Sequence, residues 1–351
     1  MAENINILES NESHFDNNSY PFFAFNRESM FDESEVAKIV LTVGLGVAMI
    51  LSLIGNICTC VVIIRNRSMR TPTNYYLFNL AITDILTACF IPLEIYIIWI
   101  PGFFPLGEVG CRIHFMLWDF ISNCSLLIIT AFTIERYLVV SRPFLRQKLA
   151  LNSRVCRIVG GIWLISSVFA IPDIYFTDLV EKKKYVFCYF TVSYVVSVVL
   201  VIEIIVFFII PMTLIVVLYS LIIVDLNSAK EKIRSSPVTI QQNKDRAVKM
   251  LAAVAISFFI FWSPYSILRG IMYYAFQNWK IMNYLCYNAY LSPVANPILY
   301  SLMSRKFRKA FKVSNFESRN DPSKNRQNYY SVSFLFKTRQ RQLKWPEPFE
   351  T

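Results

Sequence analysis

The chain has 351 residues, 55% hydrophobic and only 17% charged, with 29 Phe and 9 Gly. A soluble domain of this composition would expose large apolar patches, and Gly without a period excludes a fibrous repeat. The net charge of +11 would suit nucleic acid, but the placement of the basic residues argues against that partner.

Residues 1–36 are polar and acidic, with no apolar core after a basic start, so no cleavable signal peptide is expected. Asn11-Glu12-Ser13 and Asn17-Asn18-Ser19 are N-glycosylation acceptors if this segment is extracellular. Seven apolar runs follow, at about 37–64, 74–99, 113–140, 155–172, 194–224, 247–273 and 281–303. Each reaches or approaches the roughly 20 residues that a span needs. Backbone groups in lipid must be satisfied internally, which selects helices. Alternation typical of a barrel strand is absent.

Lys and Arg set the orientation. Arg65, Arg67, Arg70, Arg142, Arg146, Lys148, Arg154, Lys230, Lys244, Arg246, Arg305, Lys306 and Arg308 flank one side of the spans. The other side has Arg27, Lys182, Lys183, Lys184 and Lys280. The N-terminus is therefore expected outside and the C-terminus inside. The excess positive charge is topological, with some attraction to anionic lipid.

Each span carries a polar or kinking device. The first has Gly55-Asn56, an amide at mid-membrane depth that suits helix packing. The second places Asp84 at mid-depth, where a carboxylate marks an ion site or a hydrogen-bonded network. The third opens at Cys111, holds Asp119 and closes on Glu135-Arg136-Tyr137; a charge near lipid needs a partner or water. The fourth has Trp163 and the fifth Pro211 with Tyr219 below it. The sixth reads Phe261-Trp262-Ser263-Pro264-Tyr265, and a helical Pro removes a backbone bond and kinks the chain. The seventh ends Asn296-Pro297-Ile298-Leu299-Tyr300. Ser304–Lys312 reads as a short amphipathic basic helix, with Phe307 and Phe311 on one face.

Taken in order and at these depths, the motifs resemble the rhodopsin-like G-protein-coupled receptors over about residues 37–313. The expected fold is an all-α membrane protein, a seven-transmembrane helix bundle with a short amphipathic eighth helix. Residues 1–36 are expected as an extracellular glycosylated tail and 314–351 as a disordered cytoplasmic tail open to phosphorylation by receptor kinases and to arrestin. The resemblance implies a Cys111–Cys188 disulfide. It implies an allosteric sodium ion held by Asp84, Ser125, Ser292 and Asn296, although relatives usually have Asn where Ser292 stands. No other cofactor is implied. Activation and coupling to a heterotrimeric G protein would use Glu135, Arg136, Tyr137, Tyr219, Pro264, Pro297 and Tyr300. Phe144 would act as an apolar plug, and Trp262 as a rotamer switch. Lys244 stands where many relatives carry an acid facing the Arg, so basal signalling is expected.

Glu94, Asp119 and Arg269 narrow the resemblance to the neuromedin U, pyrokinin and capa neuropeptide receptors, near the ghrelin receptor. The segments Ile129–Tyr137 and Gln277-Asn278-Trp279 look more like the thyrotropin-releasing hormone receptor, the alternative reading. The group implies an amidated neuropeptide at a mouth formed by Glu94, Trp118, Asp119, Trp262, Tyr265, Arg269 and Tyr290. Glu94 and Asp119 also have a plain reading as partners of Arg269 or nearby polar groups. Acids beside aromatics suit a basic peptide. A monoamine is disfavoured, because Trp118 stands where amine receptors carry Asp. A transporter would show internal repeats, a channel rings of charge or a filter, and an enzyme a nucleophile or metal constellation. The two histidines, His14 and His114, assemble no metal site.

Overall fold

The computed structural model describes residues 34–141, 152–182, 185–191, 193–232, 252–253, 255–267 and 287–303. The helices are α1 (Glu35–Arg65), α2 (Pro72–Ala88), α3 (Ile91–Trp99), α4 (Gly107–Ser141), α5 (Asn152–Ala170) and the short α6 (Asp173–Phe176). A hairpin of β1 (Thr177–Lys182) and β2 (Tyr185–Phe190) follows, then α7 (Tyr194–Ile204), a π turn (Ile205–Ile209) and α8 (Ile210–Lys232). Last come α9 (Ala255–Ile267) and α10 (Ser292–Met303).

Local chemistry sets several starts. Ser34, Thr71 and Ser193 each accept a hydrogen bond from a backbone N–H three residues on, capping α1, α2 and α7. Pro72 occupies the first helical position of α2, where no N–H is needed. Gly107 opens α4 at φ +67°, a conformation that an L side chain resists. The helix thus begins before the apolar run at 113, because a backbone turn sets its start.

Among the described residues, five helical stretches are long and apolar enough to cross a membrane, and α9 is a shorter apolar one. The most apolar span, Tyr194–Asp225, has mean hydropathy 3.0 and is 28% buried, whereas Gly107–Val139 has the lowest, 1.6, and is 67% buried. Apolar surface faces outward while polar groups are gathered within, the arrangement a bilayer requires. The helix α4 is central, packing on α2, α5, α8 and β1.

The second and seventh spans are interrupted. The chain turns at Cys89-Phe90 between α2 and α3, just before Pro92. It turns again at Tyr290-Leu291 before Ser292-Pro293. Each Pro lacks the N–H that would continue the preceding turn. The expected amphipathic helix at Ser304–Lys312 lies outside the described residues.

The hairpin closes one end of α4. Cys111 and Cys188 form a disulfide with a Cα–Cα distance of 5.6 Å. Arg112 donates to the Ile174 carbonyl at 2.7 Å and to Asp178 Oδ1 at 3.3 Å. Val186 exchanges backbone hydrogen bonds with Gly102 and Phe104, fixing the hairpin to the chain after α3.

Candidate functional site

Beneath the hairpin, Trp118 gathers an aromatic cluster. Its ring centroid lies 4.8 Å from Tyr290, 5.9 Å from Trp262 and 5.9 Å from Tyr265. These separations suit tilted and edge-on ring packing. Tyr290 donates a hydrogen bond to Glu94 Oε1 at 2.8 Å, tying the acid of α3 to the cluster. Asp119, next on α4, belongs to a different group. Its carboxylate lies with those of Asp173 and Glu203, one ligand oxygen from each within 4.8 Å of the others. Sequence reasoning missed Asp173 and Glu203. Glu203 was detectable as an acid inside an apolar run. Asp173 was not, since it follows the fourth run and its neighbours come from other elements. The third partner expected at this mouth, Arg269, lies outside the described residues.

Deeper, Phe258 stacks on Trp262 at 5.4 Å. Below that, Asn296 donates to Asp84 Oδ2 at 2.9 Å. Ser125 and Ser292 are also buried. These carboxylate, hydroxyl and amide groups offer hard oxygen ligands, a set whose chemistry fits a small cation such as sodium.

Two prolines create local needs that two asparagines meet. Pro297 cannot donate to the Pro293 carbonyl, and Asn56 Nδ2 donates to it at 3.0 Å. Pro264 cannot donate to the Ile260 carbonyl, and Asn288 Nδ2 donates to it at 3.1 Å. Asn288 was not singled out in the sequence, because its partner depends on how α9 meets the segment before α10.

The family described as 7 transmembrane receptor (rhodopsin family) matches residues 55–300. The chain belongs to that rhodopsin family. Neuromedin-U receptor 2 of Homo sapiens is 31% identical, with 78% of this chain and 72% of that protein covered. Pyrokinin-1 receptor of Drosophila melanogaster is 32% identical, covering 78% and 79%. A neuromedin U receptor homologue of Caenorhabditis elegans is 32% identical, covering 76% of each. The receptor is thus a multi-pass plasma-membrane protein of a family of receptors rather than enzymes.

At the far end of α4 the receptor holds its Glu135-Arg136-Tyr137 motif. Glu135 is buried, and its stronger partner is Arg154 of α5, which donates to Oε2 at 2.6 Å. Arg136 stands 3.6 Å from Oε1. Arg136 also donates to Thr73 Oγ1 and lies 5.5 Å from the Phe132 ring centroid. From the sequence Arg154 was read only as an orienting charge and Thr73 was given no role; their contacts with Glu135 and Arg136 need α2, α4 and α5 side by side. Tyr219 is buried and Tyr137 half-buried near this end. Pro264 lies within α9, and Pro297 and Tyr300 within α10. Phe144, Asn11 and Asn17 lie outside the described residues.

Proposed function

We propose that the receptor is activated by a basic, amidated neuropeptide at the hairpin end and passes the signal to a heterotrimeric G protein at the Arg136 end. The N-terminus is then extracellular and the C-terminus cytoplasmic. The observation that carries the reading is the Glu94–Tyr290–Trp118–Trp262 chain of contacts, which joins an acid at the mouth to the ring two residues before Pro264. The relatives named for neuromedin U and pyrokinin support the ligand class. Glu94 takes the ligand's cation, and Asp119 pairs with Arg269 to shape the site.

A peptide acts by binding the active arrangement better than the inactive one, and shifts the equilibrium by that difference. Trp262 and Pro264 let the far end of the sixth span swing. Arg136 then leaves Glu135 and, with Tyr219 and Tyr300, frames a slot for the G protein, with Phe144 as the apolar contact. Asp84, Ser125, Ser292 and Asn296 would hold an allosteric sodium ion. The phospholipase C and calcium branch follows from the resemblance to the neuromedin U group. Receptor kinases and arrestin act on Ser314, Ser318, Ser323, Ser331, Ser333 and Thr338.

A calcium-release screen of cells carrying the full chain, with neuromedin U, pyrokinin and other amidated peptides, tests this reading. Activation is expected from peptides with an Arg near the amidated end. Silence to all of them, at demonstrated surface expression and with a promiscuous G protein present, would overturn the ligand class.

A further inference from the structure

We propose that the cavity between Asn123 and Trp262 is the subsite for the ligand's terminal carboxamide, with Asn123 as the residue that selects it; this rests on the amidated-peptide reading. Ser122, Asn123 and Glu203 are 9%, 8% and 4% exposed. With Trp262 and Tyr265 they line a cavity of about 40 Å³. Trp262 and Tyr265 also belong to the aromatic cluster around Trp118, so the cavity adjoins the mouth one helical turn further along α4. Another wall is the π turn, through Phe207 and Phe208. Turns of this kind frequently mark functional sites.

Asn123 carries the argument. Its amide nitrogen is buried and has no hydrogen-bond partner among the described residues. A buried donor with no acceptor is costly, so the site is built for an acceptor brought from outside. Ser122 Oγ donates to the Trp118 carbonyl at 2.6 Å, which leaves its lone pairs to accept. Two neighbouring residues thus offer the cavity a donor and an acceptor.

A primary carboxamide answers both groups. Its carbonyl accepts from Asn123, and its NH₂ donates to Ser122. Its carbon, oxygen and nitrogen match a volume with room for about three waters. An ammonium or guanidinium has donors only and would meet the Asn123 N–H donor to donor, so the peptide's Arg belongs at Glu94. A free carboxylate would enter beside Glu203, and like charges in contact are disfavoured. The cavity therefore separates an amidated peptide from its free acid. The group that fills it also touches Trp262, the ring two residues before Pro264.

The test uses cells carrying the full chain, with neuromedin U and pyrokinin each prepared as amide and as free acid, and calcium release as the readout. On the unmutated receptor the amides should be about 100-fold more potent than the acids. Asn123→Ala should weaken the amides about tenfold. It should leave unchanged the analogues that carry hydrogen in place of the terminal carboxamide, whereas a general loss of packing would weaken both. Melting of the purified, peptide-free chain gives a readout that needs no ligand. There Asn123→Ala should keep Tm within about 2 °C or raise it, because no hydrogen bond is lost. A clear fall would show the amide already satisfied at rest and overturn the subsite. Equal potency of amide and acid, or equal loss for amide and truncated analogue in Asn123→Ala, overturns the subsite and leaves the peptide-receptor reading intact. Silence to every peptide at demonstrated surface expression overturns that reading, and the subsite with it.

Discussion

Gly55 and Pro297 stand so close that a Cβ on Gly55 would lie 2.7 Å from the proline Cβ and 2.8 Å from its Cγ. Gly55→Ala should force α1 away from α10 and cost about 1–3 kcal/mol. Gly160→Ala and Gly161→Ala make the contrast, since nothing lies within 4 Å of the added carbon at either position. Each should be neutral or gain up to about 1 kcal/mol of helix propensity. Thermal melting of the three purified variants measures this. Equal effects at all three positions would contradict the close contact.

The hydrogen bond from Asn288 to the Ile260 carbonyl should matter only while Pro264 is present. Asn288→Ala leaves that carbonyl without its donor and should cost about 1–3 kcal/mol. In a Pro264→Ala background the new backbone N–H can serve the carbonyl, so removing Asn288 should cost clearly less. The double-mutant cycle in melting temperature should be non-additive. Additive losses would mean that Asn288 acts elsewhere.

Arg154 competes with Arg136 for Glu135, at 2.6 Å against 3.6 Å. Arg154→Ala should lower stability, because hydrogen bonds to charged groups contribute about 1.5–3 kcal/mol. It should also free Glu135 to hold Arg136 more tightly and so reduce basal inositol phosphate production. Arg136→Ala should abolish coupling while leaving peptide affinity measured without G protein intact. Basal signalling that rises in Arg154→Ala would reverse the assigned competition.

The Cys111–Cys188 bond holds the hairpin across the end of α4. Cys111→Ala and Cys188→Ala should each abolish surface peptide binding. The double variant should be no worse than either single one, because the same bond is lost in every case. Losses that add would show a second role for one of the cysteines.

Glu94 accepts from Tyr290, so its reading of a ligand must be separated from its place in the pocket. Tyr290→Phe removes one hydrogen bond, about 0.5–1.5 kcal/mol, and should weaken potency by up to about tenfold for every peptide. Glu94→Gln should instead weaken peptides with an Arg near the amidated end and spare analogues carrying citrulline there. Equal loss for both peptides would make Glu94 structural.

The sequence by itself located the apolar runs and their motifs, because hydropathy and a missing proline N–H act locally. Asp84 and the Glu135-Arg136-Tyr137 motif were legible as sparse polar groups at defined depths in apolar runs, whereas the Cys111–Cys188 pairing was implied by the family resemblance. Partners were a different matter. Asp84 meets Asn296 212 residues away, and Asn56 meets Pro293 237 residues away. Arg154 claims Glu135 across the α4–α5 contact, and Asp173 and Glu203 join Asp119 from two other elements. Only the packed bundle decides which groups share a low-dielectric interior. There a polar atom must take whichever partner the neighbouring helix brings within reach.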